Sequence, residues 1–371
     1  MTVQDKLQRR GPRRLLALDG GGVRGVLTIE VLAEIERMLQ QALGRDDSFT
    51  LAEYFDYIGG TSTGAIIATC LSLGMRVARI RELYHECARQ MLVRSGIRHR
   101  FQYKYVATYL DTLLERELGR ETTLGSDRLQ TLLLLVLRNA STDSAWPLSN
   151  NPLAKYNSGE AGTSNLTLPL WQLVRASCAA PTYFPPEVIK SDGQQFVFVD
   201  GGVTVYNNPA FLLFLMATVE PYRLCWPASR DAMLLVSVGT GHTPSANENL
   251  RPQEMNLLFN AASVPSALIS SAMQEQDFLC RTFGECLVGD EVDSEVGTMR
   301  GARGPIPAKL FTYLRYNADL SRAGLDRLGL TDIDPRTVQP LDAVEHLDHL
   351  QRIGRRVATQ VKLPDFGGFV T

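Results

Sequence analysis

A serine placed between two glycines is the first feature of the sequence suited to covalent chemistry. Gly60-Thr-Ser-Thr-Gly64 matches the pattern G-x-S-x-G, and it lies between an apolar run that predicts a strand and one that predicts a helix. In that context the glycines permit a sharp turn that presents the Ser62 hydroxyl at the positive end of the helix, as a nucleophile requires. A serine that only caps the helix gives the same pattern, so both interpretations stay open.

A glycine-rich turn, Asp19-Gly-Gly-Gly-Val-Arg-Gly25, follows the first predicted strand. It satisfies G-x-G-x-x-G, which in dinucleotide-binding proteins brings a pyrophosphate to a helix N-terminus. Such a site also needs an acidic residue at the end of a strand about 20 residues later, and Asp46-Asp47 lies in a polar stretch that is no strand. The alternative is an oxyanion hole, in which the N–H groups of Gly21 and Gly22 bind a developing alkoxide.

Two further residues complete the candidate chemistry. Asp200-Gly201-Gly202 follows a predicted strand, and an aspartate at the carboxyl end of a sheet strand lies where α/β proteins form their sites. An ordinary turn aspartate fits the tripeptide equally well. His242 follows a later strand, and the order Ser62, Asp200, His242 is that of a Ser–Asp–His triad, so a dyad and a triad are both open.

The elements that must position these residues alternate along the chain, which predicts an α/β fold: a three-layer sandwich with a central, mostly parallel sheet. The predicted strands are Leu15–Leu18, Tyr54–Ile58, Leu129–Arg138, Phe196–Val199, Met233–Val238 and Leu310–Leu314. The predicted helices are Val26–Leu43, Ala65–Leu73, Arg76–Met91, Leu170–Ala179 and Val344–Val361. The polar stretch Thr243–Asn249 is the best boundary candidate, but it is too short to separate two independent domains. We therefore expect one α/β domain over residues 1–371.

Composition excludes several classes of protein. The 371 residues carry 38 basic and 40 acidic side chains, so the net charge of −2 gives no reason to expect nucleic-acid binding. Six separated cysteines form no C-x-x-C pair, which indicates no disulfide framework or zinc site and favours a reducing cytoplasm. No spacing of metal ligands is found, so no metal or cofactor is expected. The polar N-terminus is no signal peptide, and no run is long and apolar enough to span a membrane.

Two basic segments are candidates for contact with anionic surfaces. Arg94 to Tyr105 interleaves basic and aromatic residues, a composition that suits lipid headgroups or phosphates, although a solvated loop has the same composition. Arg9, Arg10, Arg13 and Arg14 form a second group, for which a soluble tail is an equal alternative.

Taken together, the three glycine-bounded motifs resemble those of the patatin-like phospholipase family, and of its bacterial members in particular. Their order is the family's, and Ser177-Cys-Ala-Ala-Pro-Thr-Tyr-Phe-Pro-Pro186, Asn207-Asn-Pro209 and Ser237-Val-Gly-Thr-Gly241 also look like its members. The resemblance implies a catalytic segment over 15–213, with a more divergent continuation over 214–371. It assigns Ser62 as the nucleophile and Asp200 as the base. The implied oxyanion loop is Gly20, Gly21, Gly22, Val23, Arg24 and Gly25. The glycines of the nucleophile elbow are Gly60 and Gly64, and the two after the base are Gly201 and Gly202.

The activity implied by the resemblance is a phospholipase A-type hydrolysis of lipid acyl esters through an acyl-enzyme, without metal or cofactor. The expected partner is a membrane phospholipid or another acyl-ester lipid, reached from the cytoplasm by peripheral contact with the inner membrane surface. Three alternatives remain at this point: a triad carboxylesterase, a nucleotide-triggered phospholipase effector in phage defence, and a non-enzymatic binding module on the same fold.

Overall fold

The computed structural model describes residues 2–91, 108–160, 162, 164–191, 193–244 and 250–370. The basic–aromatic stretch at 94–105 lies outside them, as does most of the boundary candidate at 243–249. Within the described residues the strands are β1 Arg13–Leu18, β2 Tyr57–Thr61, β3 Leu132–Asn139, β4 Ser144–Ser149, β5 Glu187–Ser191, β6 Gln194–Asp200, β7 Met233–Val238, β8 Glu285–Val288 and β9 Thr312–Tyr316.

The α-helices lie between these strands and after the last of them. Those in the described residues are α1 Val3–Gln8, α2 Gly25–Ala42, α3 Leu51–Tyr54, α4 Thr63–Ser72, α5 Val77–Met91, α6 Thr108–Leu118, α7 Leu170–Ser177, α8 Ala210–Thr218, α9 Leu257–Phe283, α10 Arg322–Arg327, α11 Pro335–Val338 and α12 Leu347–Ala358. Short 3-10 turns include Gly22–Arg24 before α2 and Gly201–Val203 after β6.

All nine strands form one sheet in the order β5-β6-β3-β2-β1-β7-β9-β8, with β4 also paired to β3. Among the described residues, β1, β2, β3, β7, β8 and β9 are joined by parallel pairings, and β4, β5 and β6 are added antiparallel. The predicted mostly parallel sheet is therefore confirmed. The antiparallel strands stand at one side, beyond the four central strands that lead to the candidate site.

The sheet separates two apolar cores, because alternate residues of each strand point to opposite faces. Leu16 and Leu18 of β1 belong to the core shared with α2, α4 and α12, whereas Leu15 and Ala17 face α8. Helices on both sides of a central sheet give the predicted three layers. Since β7, β8 and β9 join the same sheet and α12 packs on α2, we propose that the whole chain folds as one unit.

Two predicted strands are wrong in their bounds, and one alternative left open for the N-terminal arginines is excluded for two of them. The strand predicted over Tyr54–Ile58 begins only at Tyr57, because Thr50 and Glu53 form a capping box that makes Leu51–Tyr54 helical. The last predicted strand is displaced to Thr312–Tyr316. Of the N-terminal arginines, Arg13 and Arg14 belong to no soluble tail: both are buried in β1, where their guanidinium groups lie over Trp226 and Tyr54.

Candidate functional site

Ser62 occupies a strained turn between β2 and α4. Its backbone has φ 53° and ψ −122°, a positive φ that residues with a side chain rarely adopt. The turn is tight enough that a Cβ on Gly64 would lie 2.2 Å from the Leu18 carbonyl oxygen, and one on Gly60 would lie 2.1 Å from the Gly64 oxygen. Only glycine fits at these two places, so the G-x-S-x-G spacing follows from the packing of β1, β2 and α4.

The Ser62 hydroxyl donates a hydrogen bond of 2.6 Å to Asp200 Oδ2. Asp200 is the last residue of β6, and its other carboxylate oxygen accepts from the Gly202 N–H at 2.6 Å. β6 runs antiparallel to β3 and overlaps only its last residues, with Asp200 opposite Leu137. β6 thus ends beside the carboxyl end of β3, although it runs antiparallel to that strand and not parallel to it.

Burial changes the chemistry of this carboxyl group. Removal from water raises the pKa of Asp200 from 3.8 to about 6, while hydrogen bonds from Ser62 and Gly202 and the charge of Arg175 oppose the rise. A carboxylate with a higher pKa is a stronger base, and it remains ionised at neutral pH. A serine hydroxyl bonded directly to it is a nucleophile–base pair of the kind that acyl transfer uses.

The glycine-rich turn lies against this pair. A Cβ on Gly20 would lie 3.3 Å from the Ser62 Cβ, so the turn and the serine are in contact. The Gly20 N–H donates to the Asn207 carbonyl at 3.0 Å and the Val23 N–H donates to the Leu341 carbonyl at 2.9 Å. Among the described residues no acceptor is recorded for the N–H groups of Gly21 and Gly22, the two donors expected to bind an oxyanion.

Arg24 is held beside the turn. Its Nη1 donates to the Gln339 carbonyl at 3.2 Å, while its buried Nε has no hydrogen-bond partner among the described residues. Burial lowers the pKa of Arg24 to about 10, so the side chain keeps its charge at neutral pH.

A cavity of about 930 Å³ opens over these residues. Of the predicted site residues it is lined by Gly20, Gly21, Gly22, Val23, Arg24, Ser62, Asp200 and Gly202, whereas Gly25, Gly60, Gly64 and Gly201 are not part of its lining. The wall formed by α4, α5, α6 and the segment after α7 is largely apolar, and it includes Ile66, Leu83, Leu110, Leu113, Leu114 and Phe184. This size and composition suit an elongated apolar ligand.

His242 lines the same cavity but belongs to a different contact. Its Nδ1 accepts from the Asn317 amide at 3.2 Å, and burial lowers the pKa of His242, which keeps the ring neutral. Among the described residues no hydrogen bond joins His242 to Ser62 or Asp200. The geometry therefore favours a direct serine–aspartate contact over a triad.

Two features that a dinucleotide or metal site requires are not found in the described part of the chain. Asp46 and Asp47 are exposed in the loop after α2, and neither ends a strand. Within the described ranges no cluster of three or more His, Cys, Asp or Glu side chains could bind a metal ion. No helix there has the length and apolar character needed to cross a bilayer.

Comparison with known proteins identifies the family of this chain. A family model for patatin-like phospholipases matches residues 16–214, which contain the glycine-rich turn, Ser62 and Asp200 but not His242. The chain belongs to the patatin-like phospholipase family.

Curated relatives of this chain include patatins of Solanum species. Patatin-T5 of Solanum tuberosum is 29% identical over 257 residues, and Patatin-17 of Solanum cardiophyllum is 31% identical over 257 residues. Each alignment covers 65% of this chain and 63% of the relative, so the chain spans less than two thirds of their length. The solved structure of VipD from Legionella pneumophila aligns with 92% of this chain and 67% of its own, at 14% identity and a TM-score of 0.38.

The structure of this patatin-like protein adds supporting residues that the sequence did not identify. The buried Ser177 at the end of α7 accepts from the Ser62 N–H at 2.9 Å and donates to the Val136 carbonyl at 2.7 Å, which ties the strained turn to β3. Thr240 Oγ1 donates to the Gly20 carbonyl at 2.8 Å. Ser177 and Thr240 lie in the runs that resemble the family, and that likeness was the only signal for them.

A buried ion pair anchors the start of the glycine-rich turn. Arg315 of β9 donates two hydrogen bonds to the Asp19 carboxylate, at 2.9 and 2.6 Å, and a third to Ser237 at 2.7 Å. Both charged groups are buried, and burial raises the pKa of Asp19 while Arg315 opposes the rise. The turn is thus fixed by a residue almost 300 positions away in the chain, beyond the reach of any local pattern.

Proposed function

We propose that the protein is a lipid acyl hydrolase of the phospholipase A type, with Ser62 as nucleophile and Asp200 as base. The observation that carries the proposal is the 2.6 Å hydrogen bond from Ser62 Oγ to Asp200 Oδ2 at the wall of a largely apolar cavity. Membership of the patatin-like phospholipase family supports hydrolysis of lipid acyl esters in general.

The first half of the proposed reaction transfers the acyl group to the protein. Asp200 takes the proton of Ser62 Oγ, and the oxygen attacks the ester carbonyl carbon. The resulting oxyanion accepts hydrogen bonds from the N–H groups of Gly21 and Gly22, each worth roughly 3 kcal/mol of barrier. When the tetrahedral species collapses, the leaving alcohol takes the proton from Asp200 and departs as a lyso-lipid or an alcohol.

The second half releases the fatty acid. Asp200, again a carboxylate, takes a proton from a water molecule, and the hydroxide formed attacks the acyl-serine carbonyl. The same two N–H groups hold the second oxyanion, and its collapse returns the proton to Ser62 Oγ. The apolar wall formed by Leu110, Leu114 and their neighbours holds the acyl chain throughout, so that the carbonyl stays over Ser62.

The substrate is proposed to come from a membrane surface that the protein contacts from the cytoplasm. Contact of the basic–aromatic segment at 94–105 with anionic headgroups is one candidate for this docking, and apolar contact with a neutral surface is the other. If the four basic side chains of that segment reach an anionic surface, each contributes about 1 kcal/mol, and this contribution falls with added salt.

A triad carboxylesterase is the second candidate, favoured by the presence of His242 in the cavity lining. The two candidates differ in one prediction. In a dyad, His242→Ala retains most of the activity, because His242 contacts Asn317 and not the reacting groups. In a triad the same substitution costs several orders of magnitude.

Hydrolysis of phospholipid vesicles and of short p-nitrophenyl esters by the purified chain tests the proposal. We expect Ser62→Ala and Asp200→Ala to lose activity on both substrates while circular dichroism shows them folded. Full activity of either variant would refute the proposed pair. Activity in the absence of any added nucleotide separates this enzyme from a nucleotide-triggered effector, and activity in a chelator tests the expected independence from metal.

A further inference from the structure

The opening of the cavity is identified by residues that line it and are also exposed. On one side these are Val203, in the 3-10 turn after Asp200, and Ser266 and Ser270 in the N-terminal half of α9. The turn and α9 are in contact, so they form one continuous edge of the opening. Exposed acidic residues, Asp290 and Glu291, line another part of the cavity.

The edge formed by the turn and α9 carries large apolar side chains that face solvent. Val203 is 36% exposed, Val205 54%, Val264 47% and Leu268 65%. Val264 and Leu268 are four residues apart on α9 and therefore share one face of the helix. The next residue, Ile269, and Met273 one turn later line the cavity itself. We call Val203, Val205, Val264 and Leu268 the apolar rim.

The same part of α9 is free of charge. From Asn256 to Gln274 the sequence contains no Asp, Glu, Lys or Arg, and the polar residues there are Ser, Asn and Gln. A helix exposed only to water ordinarily carries charged side chains on its outer face. An exposed apolar patch is instead typical of an interaction site, and a helix whose apolar side chains face outward can lie in a lipid interface with those side chains among the acyl chains.

We propose that the apolar rim docks on an electrically neutral lipid surface, with the N-terminal half of α9 lying in the interface and the cavity facing the bilayer. This assignment rests on the proposed function, since the bilayer is then the source of the substrate. Continuity between rim and cavity selects a lipid surface: an acyl chain leaving the bilayer passes Leu268 and Ile269 without crossing water. The exposed acids Asp290 and Glu291, which also line the cavity, disfavour an anionic surface.

Co-sedimentation with phosphatidylcholine vesicles tests this surface in a Ser62→Ala background, so that no lipid is hydrolysed. We expect binding that changes little between low and high salt. In the same background, Val264→Ser with Leu268→Ser should weaken binding by about a hundredfold, roughly tenfold for each apolar side chain removed from lipid. The matched control is Leu287→Ser with Leu363→Ser, two leucines that are 41% and 40% exposed and do not line the cavity.

Each outcome decides the proposal. Loss of binding in the rim variant alone, with an unchanged thermal midpoint, supports it. Equal binding by the rim and control variants overturns it, as does the absence of any binding by the parent, binding that requires anionic lipid, or a rim-dependent dimer without vesicle binding. Soluble-ester hydrolysis with Ser62 intact tests the proposed function separately: no hydrolysis by the wild type alongside rim-dependent vesicle binding refutes the reaction and leaves the surface in place.

Discussion

Replacing Asp200 by Asn should stabilise the folded protein at neutral pH while abolishing hydrolysis. The carboxyl group is buried, and its pKa is raised from 3.8 to about 6. A pKa that is higher in the folded chain means that folding disfavours the ionised form. The wild type therefore bears a cost at neutral pH that an uncharged side chain of the same shape does not.

The magnitude follows from the pKa. A change from 3.8 to about 6 corresponds to about 3 kcal/mol, at roughly 1.4 kcal/mol for each pKa step. The stabilising hydrogen bonds from Ser62 and Gly202 are already included in that pKa, and Asn keeps an acceptor for the Gly202 N–H. We expect Asp200→Asn to exceed the wild type by up to about 3 kcal/mol above pH 6, with the difference shrinking between pH 6 and pH 4.

Urea denaturation of both proteins at several pH values between 4.5 and 8 measures this difference directly. Asp231→Asn, which removes an exposed carboxylate with an 86% accessible side chain, controls for the loss of one negative charge. An Asp200→Asn variant no more stable than the wild type at pH 8 would refute the reasoning. So would an advantage that grows on acidification, since the folded group would then have a lowered pKa.

Three further predictions concern the same site. Because Asp200 must be ionised to act as base, kcat/KM on a soluble ester should fall as one proton binds below about pH 6, and a flat profile down to pH 4 would contradict that role. Ser177→Ala leaves the Ser62 N–H and the Val136 carbonyl unpaired, so urea denaturation should show a loss of about 1–3 kcal/mol together with a lower kcat. Arg315→Met leaves Asp19 buried and unpaired, which should lower the free energy of unfolding by about 3–5 kcal/mol. Adding Asp19→Asn to this variant should recover part of the loss, and an equal loss in the single and the double variant would contradict the ion pair.

The strands that lead to the site were predictable because they are buried on both faces. A parallel strand between two helical layers gives an uninterrupted apolar run, and β7 was predicted with both of its ends, Met233 and Val238. β4 and β5 were missed, since their short antiparallel strands mix polar and apolar residues. α9 was missed because small and polar residues interrupt the apolar ones, so that its sequence has no clear helical period.

One wrong strand boundary, the start predicted at Tyr54, was predictable from the sequence. Thr50 and Glu53 have the spacing of a capping box, which predicts a helix that starts at Leu51 and reaches the first residue of the predicted strand. The aromatic residues Tyr54, Phe55 and Tyr57 favoured the strand, and only Tyr57 lies in one. The capping-box hydrogen bonds between Thr50 and Glu53 thus determine the structure up to Tyr54, and the strand begins only after them.

The proposed reacting groups, Ser62 and Asp200, were predictable from local motifs because each sits on a turn whose glycines are required by close packing. Their supports were not, because these come from distant parts of the chain. The family match ends at residue 214, yet Thr240, Arg315 and the Leu341 carbonyl all bond to residues 19–23. The Leu341 contact occupies the Val23 N–H, so of the N–H groups in that turn those of Gly21 and Gly22 are the ones left for an oxyanion. Under the proposed function, the divergent C-terminal segment thus limits which N–H groups of the turn can bind an oxyanion, and we expect changes there to alter kcat without touching any of the three motifs.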